Sequence, residues 1–230
     1  MKKALILLLA GFTLTLSGCK FIRIGDLSNF NFISGDGPLV TKTFEPGMYD
    51  VITSSISADV IYDGVSDHPS IEVTAPENLF EYFDFVVEEG TLILRYKKDA
   101  HVVHDGNVVI HVTAVNLRKV AMAGSGSFRM EAPVTVAKFE GAIAGSGDML
   151  LDRITAPSVT LAVAGSGNMT VSKLDCVDLA ASVAGSGDMH IAGKAGTATV
   201  SIAGSGDIDI RALESDDVQT SALGSGAIRR

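Results

Sequence analysis

Carboxylate and amide side chains recur at even spacing in the second half of the sequence, each directly after a Gly-Ser-Gly motif: Asp148, Asn168, Asp188 and Asp207. If they stack about 4.8 Å apart, as neighbouring strands do, their oxygens could bridge Ca²⁺, which takes ligands at about 2.3–2.6 Å. The alternative is that each side chain accepts hydrogen bonds from backbone amides of its turn. Exposed like charges at this spacing cost only about 1 kcal/mol in water, so no ion is needed and the second interpretation is favoured.

The Gly-Ser-Gly motifs lack the spacing of catalytic or nucleotide-binding loops. A nucleophile elbow places its glycines two residues either side of the serine, whereas here they are adjacent. A phosphate-binding loop needs Gly-Lys-Ser/Thr and a following helix, and a dinucleotide fingerprint needs a third glycine. A motif that recurs six times indicates architecture instead of one reactive centre.

Three histidines, His101, His104 and His111, fall within eleven residues. A zinc site needs its ligands on one side, but His-x-x-His on a strand places the two rings on opposite faces. We therefore expect a solvated loop and strand face, and a zinc site is the less favoured alternative.

The period of the motif predicts the fold. Gly-Ser-Gly recurs at intervals of 21, 20, 20, 19 and 20 residues, and a fixed period in this range is typical of a solenoid. Apolar and polar residues alternate in two segments of each repeat, which indicates strands with one inward face. We predict an all-β chain that forms a parallel β-helix, a solenoid with about 20 residues per rung.

Each column of equivalent residues has a predicted place in this β-helix. Glycines are expected at the corners, where they permit positive φ and close stacking. The corner glycines are Gly124, Gly126, Gly145, Gly147, Gly165, Gly167, Gly185, Gly187, Gly204, Gly206, Gly224 and Gly226. The inward column after the corners is Phe128, Met149, Met169, Met189, Ile208 and Ile228. A column of small residues before the corners is predicted to face outward: Ala142, Ala162, Ser182, Ser201 and Ser221.

Basic residues are scattered among the predicted rungs. A polysaccharide-cleaving β-helix needs acids and a basic group in one groove, whereas these rungs are expected to carry one basic residue each without a shared column. The residues concerned are Arg129, Arg153, Lys173 and Arg211. The sequence therefore predicts no catalytic residues, no cofactor and no enzyme activity.

The first residues predict the compartment. Two lysines, an apolar run over residues 4–16 and Leu-Ser-Gly-Cys ending at Cys19 match the lipobox of bacterial lipoproteins. The run is shorter than the roughly 20 residues that span a bilayer, which indicates an export signal. Cys19 is predicted to carry a covalent lipid at the start of the mature chain, and an ordinary secretory signal that happens to end in Cys is the alternative. Cys176 then has no partner within the chain, and its apolar strand predicts burial.

Four regions are predicted along the chain. Residues 1–18 form the signal peptide and residues 19–39 a tether. Residues 40–120 form irregular N-terminal rungs and a cap of the same β-helix, with a separate small β-domain as the alternative. Residues 121–230 form the regular Gly-Ser-Gly rungs.

Several segments together resemble a known family. They are the opening Phe44-Glu45-Pro46-Gly47, the run over residues 83–94, the strand over residues 108–112, and the repeated Ala-Gly-Ser-Gly-Asp. Over about residues 40–226 the chain resembles the putative auto-transporter adhesin, head GIN domain family. That resemblance implies a right-handed single-stranded β-helix, frequent lipoprotein anchoring, no established catalytic residues and an adhesive role.

The sequence is interpreted as a non-enzymatic cell-envelope lipoprotein that displays a rigid β-helix for adhesion or protein contact. A carbohydrate-active β-helix that binds or cleaves a glycan is the alternative. The expected partners are a membrane, through the lipid on Cys19, and an envelope protein or glycan. Loss of two signal lysines takes the net charge from −9 to −11, which makes nucleic acid a poor partner. By resemblance to known lipoproteins, Lys20 beside the lipid cysteine favours the outer membrane of a Gram-negative host.

The small-residue column predicts self-association, because a flat face of small side chains can pack closely against a second copy. We expect the lipid-free protein to form an oligomer, with a trimer as the leading case and a monomer as the alternative. Analytical ultracentrifugation measures this directly. A single monomeric species at high micromolar concentration would rule the oligomer out.

Overall fold

A computed structural model describes residues 32–230, and almost all of its regular structure is β-strand. A single turn of 3₁₀ helix, Glu77–Leu79, is the exception among these residues. The strands of the first half are β1 (Phe32–Ser34), β2 (Leu39–Phe44), β3 (Val51–Ser54), β4 (Asp59–Val65), β5 (Ile71–Pro76), β6 (Phe83–Glu88), β7 (Thr91–Tyr96), β8 (His101–Val103) and β9 (Val109–Ala114). Those of the second half are β10 (Lys119–Gly124), β11 (Ser127–Met130), β12 (Val134–Thr135), β13 (Lys138–Gly145), β14 (Asp148–Gly165), β15 (Met169–Gly185), β16 (Met189–Gly204), β17 (Ile208–Asp209), β18 (Leu213–Gly224) and β19 (Ile228–Arg229).

The second half is a parallel β-solenoid in which equivalent residues of successive rungs pair. β14 pairs in parallel with β15, β15 with β16, and β16 with β18. The first corner glycines form one continuous register: Gly124, Gly145, Gly165, Gly185, Gly204 and Gly224. The predicted fold class, an all-β parallel β-helix with about 20 residues per rung, is confirmed.

Each corner is held to the next by a repeated pair of backbone hydrogen bonds. The carbonyl oxygen of Gly165 accepts the amide of Ser186 at 2.8 Å and that of Gly187 at 3.0 Å. Gly165 itself has a φ of +129°, which favours glycine. The carbonyl groups of the other first glycines accept the same pair: Gly124, Gly145, Gly185 and Gly204. The corners therefore stack as closely as the spacing predicted.

The predicted inward columns line the core. Phe128, Met149, Met169, Met189 and Ile208 are buried, and Ile228 in the last rung is half-buried. The alternating segment before each corner also buries its inward set, as with Val159, Leu161 and Val163. These side chains belong to one cluster of buried residues that extends from Tyr49 to Ile210. Residues from both halves of the chain thus share a core.

The rungs of the first half do not follow one another in chain order. β3 lies between β7 and β10, and β4 lies between β9 and β11, with all four pairings parallel. The segment with β7 and β9 therefore forms a rung outside the one formed by β3 and β4, although it comes later in the sequence. The sequence pattern predicted strands here but not this order.

Antiparallel strands extend the large sheet at this end and form a cap. β6 pairs with β7, while β5 pairs with β9 and β2 with β5, all antiparallel. Phe44 on β2 meets Phe85 on β6 edge-on, with ring centroids 5.8 Å apart. Aromatic packing thus joins β2 to β6 across the end of the solenoid.

The tether predicted for residues 19–39 is too long. Phe32–Ser34 forms strand β1, which pairs in parallel with β8, and Leu39 begins β2. Ile33 packs against the core, and this apolar contact was hidden in the sequence by the surrounding glycine and polar residues. The predicted signal peptide and the remainder of the tether lie outside the described residues. No helix among residues 32–230 has the length and apolar character to cross a membrane.

Replacement of Gly187 by alanine tests the close approach of the corners. An added methyl group would overlap the carbonyl oxygen of Gly167 and crowd Val163. We expect Gly187→Ala to lower the free energy of unfolding by about 1–3 kcal/mol, measured by urea denaturation. The control is Ser186→Ala in the same corner, whose exposed side chain predicts a change within about 0.5 kcal/mol. Equal stabilities for the two variants would contradict the contact.

Candidate functional site

The polar residues after each corner form a ladder along one edge of the solenoid. Asn168 donates to Asp148 Oδ1 from its backbone amide at 3.1 Å and from Nδ2 at 2.9 Å. The amide of Asp188 donates to Asn168 Oδ1 at 3.2 Å, and the amide of Asp207 donates to Asp188 Oδ1 at 2.8 Å. Each side chain thus accepts the equivalent amide of the next rung, so a backbone amide is the donor as the sequence favoured, but the bond joins two rungs and does not lie within one turn.

The ladder is longer than the Gly-Ser-Gly pattern indicated. At its N-terminal end Ser127 is in register with both Asp148 and Asp59, and Ser127 Oγ donates to Asp59 Oδ1 at 2.5 Å. At its other end Asp207 accepts the amide of Ala227 at 2.8 Å and Arg229 Nη2 at 2.6 Å. Sequence reasoning missed Asp59, because its rung has Ser-Ala-Asp and no glycine motif. The sequence feature that could have identified Asp59 is its position at the start of a strand in which apolar and polar residues alternate.

The carboxylates of the ladder have partners within the solenoid. Asp188 and Asp207 are direct neighbours, and Arg229 supplies a positive charge next to them. Throughout residues 32–230, no three or more His, Cys, Asp or Glu side chains are grouped so as to hold a metal ion. The arrangement of the ladder therefore satisfies backbone amides, and cation binding there stays an untested alternative.

The three histidines have separate partners. His111 Nδ1 lies 3.1 Å from both carboxylate oxygens of Asp63. His104 Nδ1 accepts the amide of Gly106 at 3.2 Å. The ring of His101 lies 6.3 Å from that of Phe32. These neighbours differ for each ring, so the structure does not bring the predicted zinc candidates together.

Two of the four scattered basic residues share a column, contrary to the sequence prediction. Arg153 and Lys173 are partners in the β14–β15 register. Both stand six residues after the second corner glycine, a coincidence in the sequence that the prediction overlooked. No ion pair to either is found among the bridges within the described part of the chain. Arg129 and Arg211 lie elsewhere.

The depressions beside the ladder are shallow. The larger has a volume of about 410 Å³, and its polar lining includes Arg129, Asp148 and Thr170. Asp209, on the same side, is engaged by Arg211, whose hydrogen bond holds the pKa of that carboxyl well below its usual range. A carboxyl that stays ionised is a poor general acid at neutral pH. The smaller depression is lined by Asp59, His104 and Asp148 among other residues.

The small residues before the corners form the flat outward face that the sequence predicted. Ala142, Ala162, Ser182, Ser201 and Ser221 occupy consecutive positions of one register. A second outward column of small residues runs beside it through Ala144, Ala164, Ala184 and Ala203 and ends at Leu223. We call these two columns the small-residue face.

The structure describes one of the two cysteines. Cys19, the predicted lipid attachment site, lies outside the described residues. Cys176 was predicted to be buried, but it is half-buried and packs against the edge of the core. Burial and the neighbouring Asp175 and Asp178 raise the pKa of its thiol to about 11. Cys176 is therefore almost entirely a thiol at neutral pH and a weak nucleophile.

The fold and the repeated corners can now be compared with known proteins. The family model described as putative auto-transporter adhesin, head GIN domain, matches residues 48–229. The chain belongs to this family. Its N-terminal boundary falls next to Tyr49, where the buried core begins, so the matched segment includes the cap strands β5 and β6 and every Gly-Ser-Gly rung, while β2 lies before it.

Several solved structures have a fold similar to that of this chain. A protein described as a putative lipid binding protein from Parabacteroides distasonis has 28% sequence identity and a TM-score of 0.70, covering 86% of this chain and 99% of its own. A putative adhesin from Parabacteroides merdae has 21% identity and a TM-score of 0.67, with coverage of 86% and 98%. A putative adhesin from Bacteroides fragilis has 18% identity and a TM-score of 0.63, with coverage of 86% and 99%.

The last two similarities lie below 25% identity, so they bear on the fold alone. No curated protein matches the chain. None of the three solved structures is described as an enzyme, and the family description is that of an adhesin-like domain.

Two substitutions at Asp188 test whether the ladder acts through hydrogen bonding. Asp188→Asn keeps the oxygen that accepts the amide of Asp207, and Asn168 already shows that an amide fits this column. We expect Asp188→Asn to leave the free energy of unfolding unchanged within about 0.5 kcal/mol, since it also removes repulsion from Asp207. Asp188→Ala should lower it by about 0.5–1.5 kcal/mol.

Urea denaturation with and without a calcium chelator measures both effects. A ladder that needs bridging cations would lose stability in the chelator and in Asp188→Asn alike. That result would contradict the hydrogen-bonding role.

Proposed function

We propose that the protein is a non-enzymatic lipoprotein of the cell envelope that presents a rigid β-solenoid for adhesion or protein contact. The observation that carries the proposal is the small-residue face. Five of its residues stack in one register, and the flanking column adds a further row of methyl groups. Such a face offers close packing over a large area without any reactive group.

The chemistry of the surface supports contact over catalysis. Several charged side chains of the described residues form ion pairs with their neighbours, as with Arg211 and Asp209 or Lys194 and Glu214. The family and the solved relatives are described in terms of adhesion or lipid binding. Nothing among these observations favours the glycan-cleaving alternative.

The proposal of a lipid anchor is based on the sequence that precedes the solenoid. The lipobox ending at Cys19 supports covalent acylation, and each buried methylene of an acyl chain contributes about 0.8 kcal/mol to membrane binding. The adhesin-like family is in keeping with a surface or extracellular location. Lys20 beside Cys19 supports the outer membrane if the host is Gram-negative.

The partner of the small-residue face is proposed to be a second copy of the chain or another envelope protein. Two flat faces of alanine and serine can approach closely because no long side chain intervenes. A trimer around this face is the assembly we propose for the lipid-free protein. A strongly negative surface makes nucleic acid an unsuitable partner.

An adhesion assay with a face variant tests this function. Beads coated with residues 20–230 should bind isolated cell envelopes, and Ser182→Arg should abolish binding because a long cation then projects from the middle of the small-residue face. The matched control is Ser186→Arg, an exposed corner position outside that face. Binding no better than that of uncoated beads would contradict the adhesive role. Equal binding by the two variants would place the contact elsewhere.

A further inference from the structure

A two-stranded ribbon lies at the capped end of the protein, apart from the large sheet of the solenoid. Strand β1 pairs with β8 in the register Phe32 to His101, Ile33 to Val102 and Ser34 to Val103. Because side chains alternate along a strand, Ile33 and Val102 share one side of the ribbon and pack against the core. The opposite side presents Phe32 and Val103, which are 62% and 53% exposed.

The ribbon is fixed to the cap by a set of hydrogen bonds. Gly35 donates its amide to the carbonyl oxygen of Val103 at 3.1 Å. Asn78 Nδ2 donates to the carbonyl oxygen of Ser34 at 2.7 Å, and Asn78 Oδ1 accepts the amide of Asp36 at 3.0 Å. The apolar side of the ribbon therefore has a fixed direction relative to the solenoid.

The number of residues before the ribbon limits the distance between the ribbon and the lipid on Cys19. Phe32 stands 13 residues after Cys19, which span at most about 45 Å when fully extended. Seven strand spacings of about 4.8 Å separate the outermost parallel strand, β7, from the last rung, β18, which adds about 34 Å. The ribbon is thus attached near the anchored end of the chain, and the last rung lies at the other end of the solenoid.

Charged side chains of both signs lie beside the ribbon. Lys97 and Lys98 are exposed and come just before β8, while the exposed acids Asp36, Asp99 and Asp105 stand next to the two strands. The mature chain carries a net charge of −11, which opposes approach to anionic headgroups, so the ribbon suits a zwitterionic lipid surface. Lysine side chains beside an apolar surface can extend toward lipid phosphates at such an interface.

We propose that the outer side of the β1–β8 ribbon rests on the bilayer that holds the lipid of Cys19, so that the solenoid stands with its cap toward the membrane. The inference rests on the lipid anchor of the proposed function. A tethered contact is intramolecular, so its effective concentration is high and two apolar side chains suffice to orient the body. The ribbon acts on orientation, while the acyl chains hold the protein at the membrane.

Single tryptophans test this orientation, because the natural chain has none. Phe32→Trp and Leu223→Trp each place one tryptophan at an exposed apolar position, Leu223 being 73% exposed on the last rung. The full lipid-modified proteins are reconstituted into phosphatidylcholine vesicles with and without brominated acyl chains. We expect strong quenching by the brominated chains for Phe32→Trp and none for Leu223→Trp. Val103→Trp, on the other ribbon strand, should behave like Phe32→Trp.

Flotation of Cys19→Ser with the same vesicles separates the two proposals. If the lipid anchor exists, the unsubstituted protein floats and Cys19→Ser does not. A protein that floats through Cys19 while Phe32→Trp and Leu223→Trp show the same quenching would overturn the orientation alone. A protein that never floats would remove the anchor and the orientation together.

Discussion

The contact on which the solenoid depends is the approach of one backbone corner to the next. A glycine carbonyl accepts two amides from the corner above it, as Gly165 does from Ser186 and Gly187. The second glycine of the upper corner lies very close to the carbonyl oxygen of the second glycine in the corner below. A Cβ atom on the upper glycine would overlap that oxygen. This geometry sets the residue count of a rung, because every turn must return to the same place. The columns of core and surface side chains follow from that return.

The same constraint explains which features the sequence predicts. Residues such as Met149, Met169 and Met189 repeat because each rung presents the same interior position, so the inward and outward columns are readable directly. The order of the first rungs cannot be read from the sequence, because β3 lies between β7 and β10 through pairings between segments that are distant in the chain. The place of Asp59 in the ladder and of β1 beside β8 likewise depend on tertiary pairing, and their local sequences carry no repeat.

The polar ladder shows how a column of acids persists without a metal-ligand geometry. A side-chain hydrogen bond to a backbone amide contributes about 0.5–1.5 kcal/mol, which is similar to the repulsion of about 1 kcal/mol between neighbouring exposed carboxylates. The balance is tipped by a neutral residue within the column and by a cation beside it. Asn168 separates Asp148 from Asp188, and Arg229 neutralises Asp207. The hydrogen bonds of the ladder thus join the rungs along this edge of the solenoid, and the placement of its charges limits the repulsion between them.

The two ends of the solenoid differ in the strands that cover them, and neither end is a favourable place for a further strand. At one end the antiparallel strands β2 and β6 cover the first rung and join through Phe44 and Phe85. At the other end β18 pairs with β16 alone among the described strands, and it carries Glu214, Asp216 and Asp217 on its exposed length. Acidic residues on an edge strand oppose the addition of a further strand. Growth along the axis is therefore disfavoured at this edge, and the flat lateral columns are the surface best suited to a partner.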